Sequence, residues 1–284
     1  MRSIAELLGT GDPLVGPGVW DALSARLAVA AGFRTVFVSG YCLSASRLGA
    51  PDVGLLTQTE VLGAAAGICA AVDVPVVVDV DTGWGNEFNV ERTVRELVRL
   101  GAAGCFLEDQ VWPKRCGHME GKQVVPPDEY LAKLRAALAA RGATPFFVTA
   151  RTDARAVHGL DDAIARAQAY AAAGADAVFV EAPESADEMD RVRAAVPARV
   201  PLVANMVEQG KTPLRTVAQL AAAGYRIVVF PVSGLLAAAA AQRRVFETLR
   251  RDGASTAAAG ALLAFDEMNS FLGLDERYRR ERER

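Results

Sequence analysis

The chain has 284 residues, of which 51% are hydrophobic, so it is too apolar to be disordered and long enough for one large α/β domain with a substantial core. Its formal net charge of -3 comes from 31 basic and 34 acidic residues without a long basic block, which makes nucleic acid an unexpected partner. No apolar run approaches the ~20 residues that a membrane span needs, and the N-terminus lacks a signal-peptide core, so no membrane association and a cytoplasmic location are expected.

One pattern recurs along the chain: a helix that ends at Gly, a short all-apolar strand, and then polar residues. Its four copies lie at residues 30–40, 100–109, 172–182 and 222–231. Gly is typical of helix ends, and an all-apolar run is typical of a strand that is buried on both faces. Further strands are predicted at residues 14–19, 74–80, 145–150 and 201–204, which brings the number to eight.

Helices are predicted between these strands, at residues 22–31, 59–72, 90–100, 127–141, 160–173, 186–196, 213–223 and 235–252. Eight strands that alternate with helices predict a (β/α)8 barrel, and an open doubly wound sheet is the alternative. No Gly-x-Gly-x-x-Gly motif follows the first strand, which disfavours a dinucleotide-binding version of that alternative. Residues 258–272 predict one more apolar helix, inside a C-terminal extension (254–284) of a single domain spanning 1–284.

Polar residues follow the predicted strands at the end where barrel enzymes carry their active sites. They are Ser39, Gly40 and Tyr41 after strand 2, Asp79, Asp81 and Thr82 at strand 3, Glu108 and Asp109 at strand 4, Arg151, Thr152 and Asp153 at strand 5, Glu181 at strand 6 and Asn205 at strand 7. Helix caps would explain one or two of them. A ring on consecutive strands indicates a functional site.

Two carboxylates in this ring predict a metal site. Asp79 and Asp81 are two residues apart, and side chains at that spacing share one face of a strand. Close carboxylates repel unless a cation lies between them, so together with Glu108 they predict an oxygen-rich site for Mg²⁺ or Mn²⁺. A carboxylate pair that shares one proton is the alternative.

The segment 104–126 runs from a strand into a loop that is dense in ionisable groups, among them Lys114, Arg115, Cys116 and His118. Because the loop has few apolar residues, its composition suggests a site, and a solvated charged loop with an incidental cysteine is the alternative. The four cysteines of the chain show no Cys-x-x-Cys spacing, so neither a zinc site nor a disulfide scaffold is expected.

Five stretches carry a resemblance to a known family: Ser39-Gly-Tyr, Pro51-Asp-Val-Gly-Leu-Leu-Thr-Gln-Thr-Glu60, Asp79-Val-Asp-Thr-Gly-Trp-Gly-Asn86, Glu108-Asp-Gln and Lys114-Arg-Cys-Gly-His118. On these motifs the sequence resembles the isocitrate lyase and phosphoenolpyruvate mutase superfamily from residue 16 to about residue 250. Within it the sequence is most similar to the branch of 2-methylisocitrate lyase and the petal death protein. The resemblance implies a small di- or tricarboxylate substrate. It also implies a homo-oligomer, a dimer of dimers, in which the last helix is exchanged between subunits.

The resemblance also implies a role for each residue of the site. The metal carboxylates correspond to Asp79, Asp81 and Glu108, with Asp52 nearby. The groups that bind substrate correspond to Ser39, Gly40, Tyr41, Lys114, Gly117, Glu181, Asn205 and Pro231. The catalytic groups correspond to Cys116 as the acid, with His118 and Arg151 beside it.

The chemistry of these residue types suits the cleavage of a carbon–carbon bond. A bound Mg²⁺ lowers the pKa of a 2-hydroxy acid's hydroxyl, and collapse of the alkoxide breaks the neighbouring bond. Arg151 and His118 would stabilise the resulting carbanion, and Cys116 would protonate it. For that role the thiol must stay protonated, whereas the basic residues of its loop favour the thiolate.

We therefore expect a lyase that acts on a 2-alkylmalate or a 2-methylisocitrate-like acid. The alternatives are an oxaloacetate hydrolase, a phosphonomutase and a non-catalytic barrel that binds or scaffolds. Pro231 favours the lyase, because members of the resembled family that hydrolyse oxaloacetate tend to carry serine there.

Overall fold

The structure, a computed structural model, describes residues 2–283, without the side chain of residue 261. It contains eight parallel strands: β1 (Leu14–Val19), β2 (Val36–Val38), β3 (Val76–Asp79), β4 (Gly104–Glu108), β5 (Phe147–Thr152), β6 (Ala177–Val180), β7 (Val203–Asn205) and β8 (Ile227–Phe230). Their order in the sheet is β6-β5-β4-β3-β2-β1-β8-β7. A parallel bridge between Val178 and Leu202 brings the two edge strands together, so the sheet is nearly closed. The predicted (β/α)8 barrel is confirmed.

The helices are α1 (Ile4–Leu8), α2 (Ala22–Ala30), α3 (Gly40–Leu43), α4 (Gln58–Cys69), α5 (Glu87–Arg99), α6 (Pro127–Ala140), α7 (Arg155–His158), α8 (Leu160–Ala172), α9 (Ala186–Ala195), α10 (Val217–Ala222), α11 (Ser233–Asp252), α12 (Phe265–Leu272) and α13 (Leu274–Arg282). A π-helical turn, Ser44–Leu48, follows α3. Several helices begin at capping boxes that are recognisable in the sequence. One is formed by Thr57, which precedes α4, and Glu60, in its first turn. No helix in the described part of the chain is long and apolar enough to cross a membrane.

Two segments differ from the prediction. Residues 258–272 do not form one helix, because a 3-10 helix (Thr256–Ala261) and α12 are separated by an irregular stretch. The short helix α1 was not predicted. Its Ile4 and Leu7 are buried against apolar residues at the N-terminal ends of the strands, such as Leu14.

Apolar side chains fill the barrel on both sides of the sheet. Inside it, the rings of Phe37 and Phe106 lie 4.8 Å apart, and those of Phe106 and Phe179 lie 5.8 Å apart. Outside it, a larger apolar cluster packs between the strands and the surrounding helices. Because the N-terminal end of the barrel is packed with apolar groups, the polar residues are confined to the C-terminal ends of the strands.

The chain divides into two compact units, Met1–Leu235 and Leu236–Arg284. All eight strands belong to the first unit. The second contains the greater part of α11 and the C-terminal helices. Several apolar side chains of that unit are exposed, with 81% exposure at Phe265 and 62% at Phe246.

Candidate active site

The three carboxylates of the predicted metal site lie at neighbouring strand ends. Asp79 is the last residue of β3, and Glu108 is the last residue of β4. Asp81 lies beyond β3 with φ 47°, so the strand-face reasoning that paired it with Asp79 is wrong. The two carboxylates nevertheless border the same space, because a Cβ placed on Gly40 would lie 3.1 Å from Asp79 Oδ2 and 3.5 Å from Asp81 Oδ1. Gly40 therefore gives the two side chains room to share one space.

A lysine reaches into this acidic group. Lys114 Nζ lies 2.7 Å from both carboxylate oxygens of Asp52 and 2.9 Å from Asp81 Oδ1, and its side chain is 3% exposed. Burial by itself lowers the pKa of Lys114, but the carboxylates, led by Asp81 and Asp52, outweigh it and hold that pKa well above the usual range. Burial also raises the pKa of Asp81 to about 7, although Lys114 acts against it.

The residues fit a hard divalent cation. Oε1 of Glu108 is buried without a hydrogen-bond partner, and Glu108 Oε2 and Asp81 Oδ1 are buried with Arg151 and Lys114, respectively, as their charged neighbours. Burial raises the pKa of Glu108 well above its ordinary value and also raises that of Asp79, so neutralising charge is needed there. Within residues 2–283, no three His, Cys, Asp or Glu side chains converge into a ready-made cage. Carboxylate oxygens at neighbouring strand ends are the ligand type that suits Mg²⁺, which keeps several waters and takes few direct protein ligands.

Arg151 is the centre of a second, mixed-charge cluster. Its guanidinium lies 3.2 Å from Glu108 Oε2, 3.2 Å from Glu181 Oε2 and 2.9 Å from Asp153 Oδ2, and it stacks over the ring of Phe179. Burial alone would lower the pKa of Arg151, but the three carboxylates raise it well above the usual range. Burial likewise acts to raise the pKa of Asp153, and Arg151 outweighs it, so the value falls to about 2. The guanidinium is thus a fixed positive charge inside the barrel.

Glu181 connects this cluster to the next strand and to the loop after β4. Asn205 Nδ2 donates to Glu181 at 3.2 Å, and the Ala182 backbone N–H donates to it at 2.9 Å. A Cβ on Gly117 would lie 2.5 Å from the Glu181 carboxylate, so only glycine fits at that close approach. The loop therefore lies directly on the ring of polar side chains.

His118 is held between two loops. The backbone N–H of Lys211 donates to His118 Nδ1 at 3.0 Å, which assigns the ring proton to Nε2, 3.4 Å from Glu181 Oε1. Burial lowers the pKa of His118, although Glu181 acts against this. The ring is therefore neutral at neutral pH and offers an N–H donor, not the positive charge that the sequence suggests.

Cys116 lies on the same loop, and its backbone N–H donates to the Asp52 carbonyl at 3.0 Å. Burial raises the pKa of the Cys116 thiol to about 11, and the Asp52 carboxylate adds to the rise. The tendency of the basic residues in the loop to favour the thiolate does not prevail, because desolvation outweighs the charge of Lys114. The thiol is protonated and available as an acid.

The segment after β2 and the end of β8 meet beside β1. Ser39 Oγ accepts from the Cys42 backbone N–H at 3.3 Å and so caps α3, on which Tyr41 is half-buried. Cys42 Sγ in turn donates to the Pro231 carbonyl at 3.1 Å. The predicted substrate-binding residues of both segments are therefore on the same side of the barrel mouth.

Asp109 and Thr152, which the sequence places in the polar ring, lie in a buried network behind it. Asp109 Oδ2 accepts from Thr152 Oγ1 at 2.7 Å, from Tyr170 at 2.9 Å and from Arg166 at 3.2 Å. Its Oδ1 accepts the backbone N–H of Asp153 at 2.9 Å. Asp109 is thus a structural carboxylate that fixes the end of β5.

One functional candidate was missed altogether. Lys122 Nζ lies 3.0 Å from Asp153 Oδ1, and it also donates to the Gly117 carbonyl. The sequence offers no signal for it beyond its place in the polar loop, because a lysine next to Gly121 is typical of a solvated turn.

Comparisons with known proteins agree with this geometry. A protein-family profile described as phosphoenolpyruvate phosphomutase matches residues 4–250. A carboxyvinyl-carboxyphosphonate phosphorylmutase of Arabidopsis thaliana, a chloroplastic protein, is 47% identical, over 91% of this chain and 77% of its own length. The 2,3-dimethylmalate lyase of Eubacterium barkeri is 44% identical, over 95% and 93%. The 2-methylisocitrate lyase of Aeropyrum pernix is 42% identical, over 99% and 89%.

Solved structures show the same fold. An oxaloacetate acetylhydrolase in complex with 3,3-difluorooxalacetate has a TM-score of 0.89 at 37% identity and covers 95% of this chain and 91% of its own. A 2,3-dimethylmalate lyase has a TM-score of 0.91 at 36% identity, with coverage of 98% and 94%. A phosphonopyruvate hydrolase in complex with oxalate and Mg²⁺ has a TM-score of 0.87 at 34% identity, with coverage of 98% and 95%. The superfamily resemblance that the motifs carry is confirmed.

Proposed function

The chain belongs to the phosphoenolpyruvate phosphomutase family, and from that premise we propose that it is a divalent-metal-dependent carbon–carbon lyase. Its substrate is a 2-alkylmalate or a 2-methylisocitrate-like acid, which it splits into a 2-oxo acid and a carboxylate. The lyase relatives at 42% and 44% identity support this reaction class. The single observation that carries it is the buried thiol of Cys116, whose pKa burial raises to about 11, on a loop that packs against the Glu181 carboxylate.

The carboxylates Asp79, Asp81 and Glu108 would hold Mg²⁺ or Mn²⁺, with Asp52 linked to them through Lys114. When bound, the ion supplies Lewis acidity toward the hydroxyl and carboxylate oxygens of the substrate. The residues around the ion would orient the substrate and transfer the proton.

Arg151 supplies the fixed positive charge of the site. Its guanidinium is fixed by three carboxylates, so it stands ready to orient a substrate carboxylate and to stabilise the negative charge that forms when the bond breaks. Glu181 and Asn205 line the same wall. Gly40 lies beside Asp79 and Asp81, and Ser39, Gly40 and Tyr41 would hold the 2-oxo acid product.

Cys116 would complete the reaction. When the carbon–carbon bond breaks, its electron pair stays on the carbon of the departing carboxylate, and the thiol proton is transferred to that carbon. His118, neutral and with its Nε2 proton toward Glu181, would act as a hydrogen-bond donor beside the thiol. Lys114 and Gly117 shape the loop around both groups.

Oxaloacetate hydrolysis is the second candidate, favoured by the similarity to an oxaloacetate acetylhydrolase structure. Pro231 argues against it, because proline offers neither a hydroxyl nor an N–H to a hydrated or enolised substrate. Ser233 lies two residues further on, and its hydroxyl already donates to Glu208.

The experiment that tests the assignment is release of 2-oxo acid from a panel of malate derivatives with Mg²⁺ present, with oxaloacetate in parallel. We expect a higher kcat/KM for a 2-alkylmalate than for oxaloacetate, and a rise in the oxaloacetate rate in Pro231→Ser. A wild-type enzyme that prefers oxaloacetate would overturn the lyase assignment, whatever the variant does.

We also propose that the protein assembles as a homo-oligomer, a dimer of dimers, through its C-terminal segment. The exposed apolar side chains of Phe265, Leu262 and Leu272 support this, since large exposed apolar groups on a helix are typical of an interface. Exchange of the last helix between subunits would cover them.

A further inference from the structure

The loop after β4, residues 111–123, packs on buried charged side chains of the site through Gly117 and Lys114, so substrate reaches those side chains only if the loop moves. Arg151, Glu108, Glu181 and Asp81 are all buried beneath it. The two ends of the loop are joined, because the Val111 backbone N–H donates to the Gln123 carbonyl at 2.8 Å. The closed position of the loop must therefore be set by contacts of the residues that lie between these two ends.

One of those contacts links the middle of the loop to the barrel. The Lys122 side chain is 1% exposed, and its ammonium lies between the Asp153 carboxylate at 3.0 Å and the Gly117 carbonyl. Lys122 is next to Gln123, which joins the two ends of the loop. Gly117 is at the far side of the loop.

Asp153 is a firm support for that ammonium. Its carboxylate accepts two hydrogen bonds from Arg151, at 2.9 Å and 3.1 Å, and its backbone N–H is held by Asp109. The side chain is 0% exposed. A buried ion pair of this kind contributes little net stability but fixes the position of the groups that it joins.

We infer that Lys122, fixed by Asp153, is a positioning residue that holds the Gly117 carbonyl and thereby holds the loop closed. The residues on either side of Gly117 are Cys116 and His118, so this bond acts together with those to the Asp52 carbonyl and the Lys211 backbone N–H in setting where both lie. Lys122 touches no reacting atom. Its effect reaches the reaction through the backbone of the loop.

The test is the rate at which iodoacetamide alkylates Cys116, followed peptide by peptide in the full-length protein. Cys69, half-buried at the end of α4 and outside the loop, is the internal reference. In Lys122→Met the ratio of the Cys116 rate to the Cys69 rate should rise by about tenfold or more, which corresponds to about 1.4 kcal/mol of loop closure. General loosening of the fold would raise both rates together and leave the ratio unchanged.

Glu120→Gln is the matched control. Glu120 is on the same loop and pairs with Lys211, but its side chain is 87% exposed, so the pair contributes little. We expect the ratio to change by less than about twofold, the scale of a weak surface pair. An unchanged ratio in Lys122→Met, or an equal rise in Glu120→Gln, would overturn the inference.

Lys122→Gln, which retains a polar group, replaces Lys122→Met if the methionine variant does not fold. The same rise is expected, and its absence would count equally against the inference. In turnover, Lys122→Met should lower kcat by a similar factor. That consequence rests on the proposed function, whereas the alkylation needs no substrate, so the two can fail separately.

Discussion

Replacing Lys114 by methionine should make the protein less stable without metal and make it bind metal more tightly. In the wild type the ammonium lies within 2.7–2.9 Å of three carboxylate oxygens of Asp52 and Asp81. Removing one partner of a buried ion pair costs ~3–5 kcal/mol, because the remaining charge is left uncompensated. The same uncompensated charge attracts a divalent cation, which no longer has to displace Lys114.

The size of the effect should depend on pH. The pKa of Asp81 is already raised to about 7 by burial, and loss of Lys114 removes a group that lowers it. A carboxyl whose folded pKa lies above its unfolded value loses stability as pH rises through the folded pKa. Near pH 6 the Asp81 carboxyl takes up a proton in the variant and the cost should be near ~3 kcal/mol, whereas above pH 8 it should approach the upper end of the range.

Urea unfolding in excess chelator, at pH 6 and pH 8.5, measures the loss of stability. Calorimetric titration with Mn²⁺ measures the gain in metal affinity. At 100 times its dissociation constant, a metal that binds only the folded state restores ~2.7 kcal/mol. Equal unfolding midpoints in chelator, or weaker Mn²⁺ binding by Lys114→Met than by the wild type, would refute the reasoning.

Lys133→Met is the control for removing a buried lysine. The Lys133 side chain is 7% exposed, its ammonium donates a long hydrogen bond of 3.5 Å to the Thr82 carbonyl, and its nearest carboxylate, on Glu129, is 3.9 Å away and 53% exposed. Burial lowers the pKa of Lys133, in contrast to Lys114. The change should therefore cost no more than ~0–1 kcal/mol, the range for exposed pairs, and should leave Mn²⁺ binding unaltered.

Four further predictions concern the thiol, the loop and the C-terminal segment. Cys116→Ser should keep the fold and the binding of substrate but lower 2-oxo acid release by roughly 10² or more, the scale for loss of a general acid; a near-normal rate would make the cysteine a bystander. Because burial raises the pKa of the Cys116 thiol from an ordinary 9.0 to about 11, its alkylation rate should rise steeply only as the pH approaches 11, and half-maximal reactivity near pH 9 would contradict this. Gly117→Ala would place a Cβ 2.5 Å from the Glu181 carboxylate, so kcat/KM should fall by roughly 10-fold or more. The matched control for Gly117→Ala is Gly63→Ala in α4, where a Cβ meets nothing within 4 Å. It should leave the rate unchanged and stabilise the protein by ~0.5–1 kcal/mol. Truncation after Gly253 should yield aggregated protein on size-exclusion chromatography if the segment forms an interface, whereas a soluble, active monomer would show that it is only a tail.

Much of the barrel could be predicted from the sequence, because its signals are local. Glycine after a helix, an all-apolar run of a few residues and a polar residue at its end define most of the units, and the observed strands lie within a few residues of the predicted ones. The prediction of one helix in the C-terminal segment was wrong for the same reason, because it used local signals alone. Apolar residues at 258–272 predict burial, but they do not say whether one helix or two short ones carries them.

The members of the site could also be named from the sequence, but their electrostatics could not. Asp81 reaches Asp79 through a left-handed residue beyond the strand and not through strand alternation. Cys116 follows two basic residues in the sequence, yet burial makes it a weak acid. Each outcome depends on desolvation, and desolvation depends on which segments close over the group.

Long-range partners were decided by the tertiary structure alone. Asp109 and Glu108 are adjacent in the sequence, which does not indicate their different roles. Asp109 binds the backbone at the end of β5, whereas Glu108 pairs with Arg151. Lys122 and Asp153 are 31 residues apart and meet only because β4 and β5 are neighbours in the barrel. Sequence periodicity determines which residues are buried, whereas closure of the barrel determines which buried charges meet.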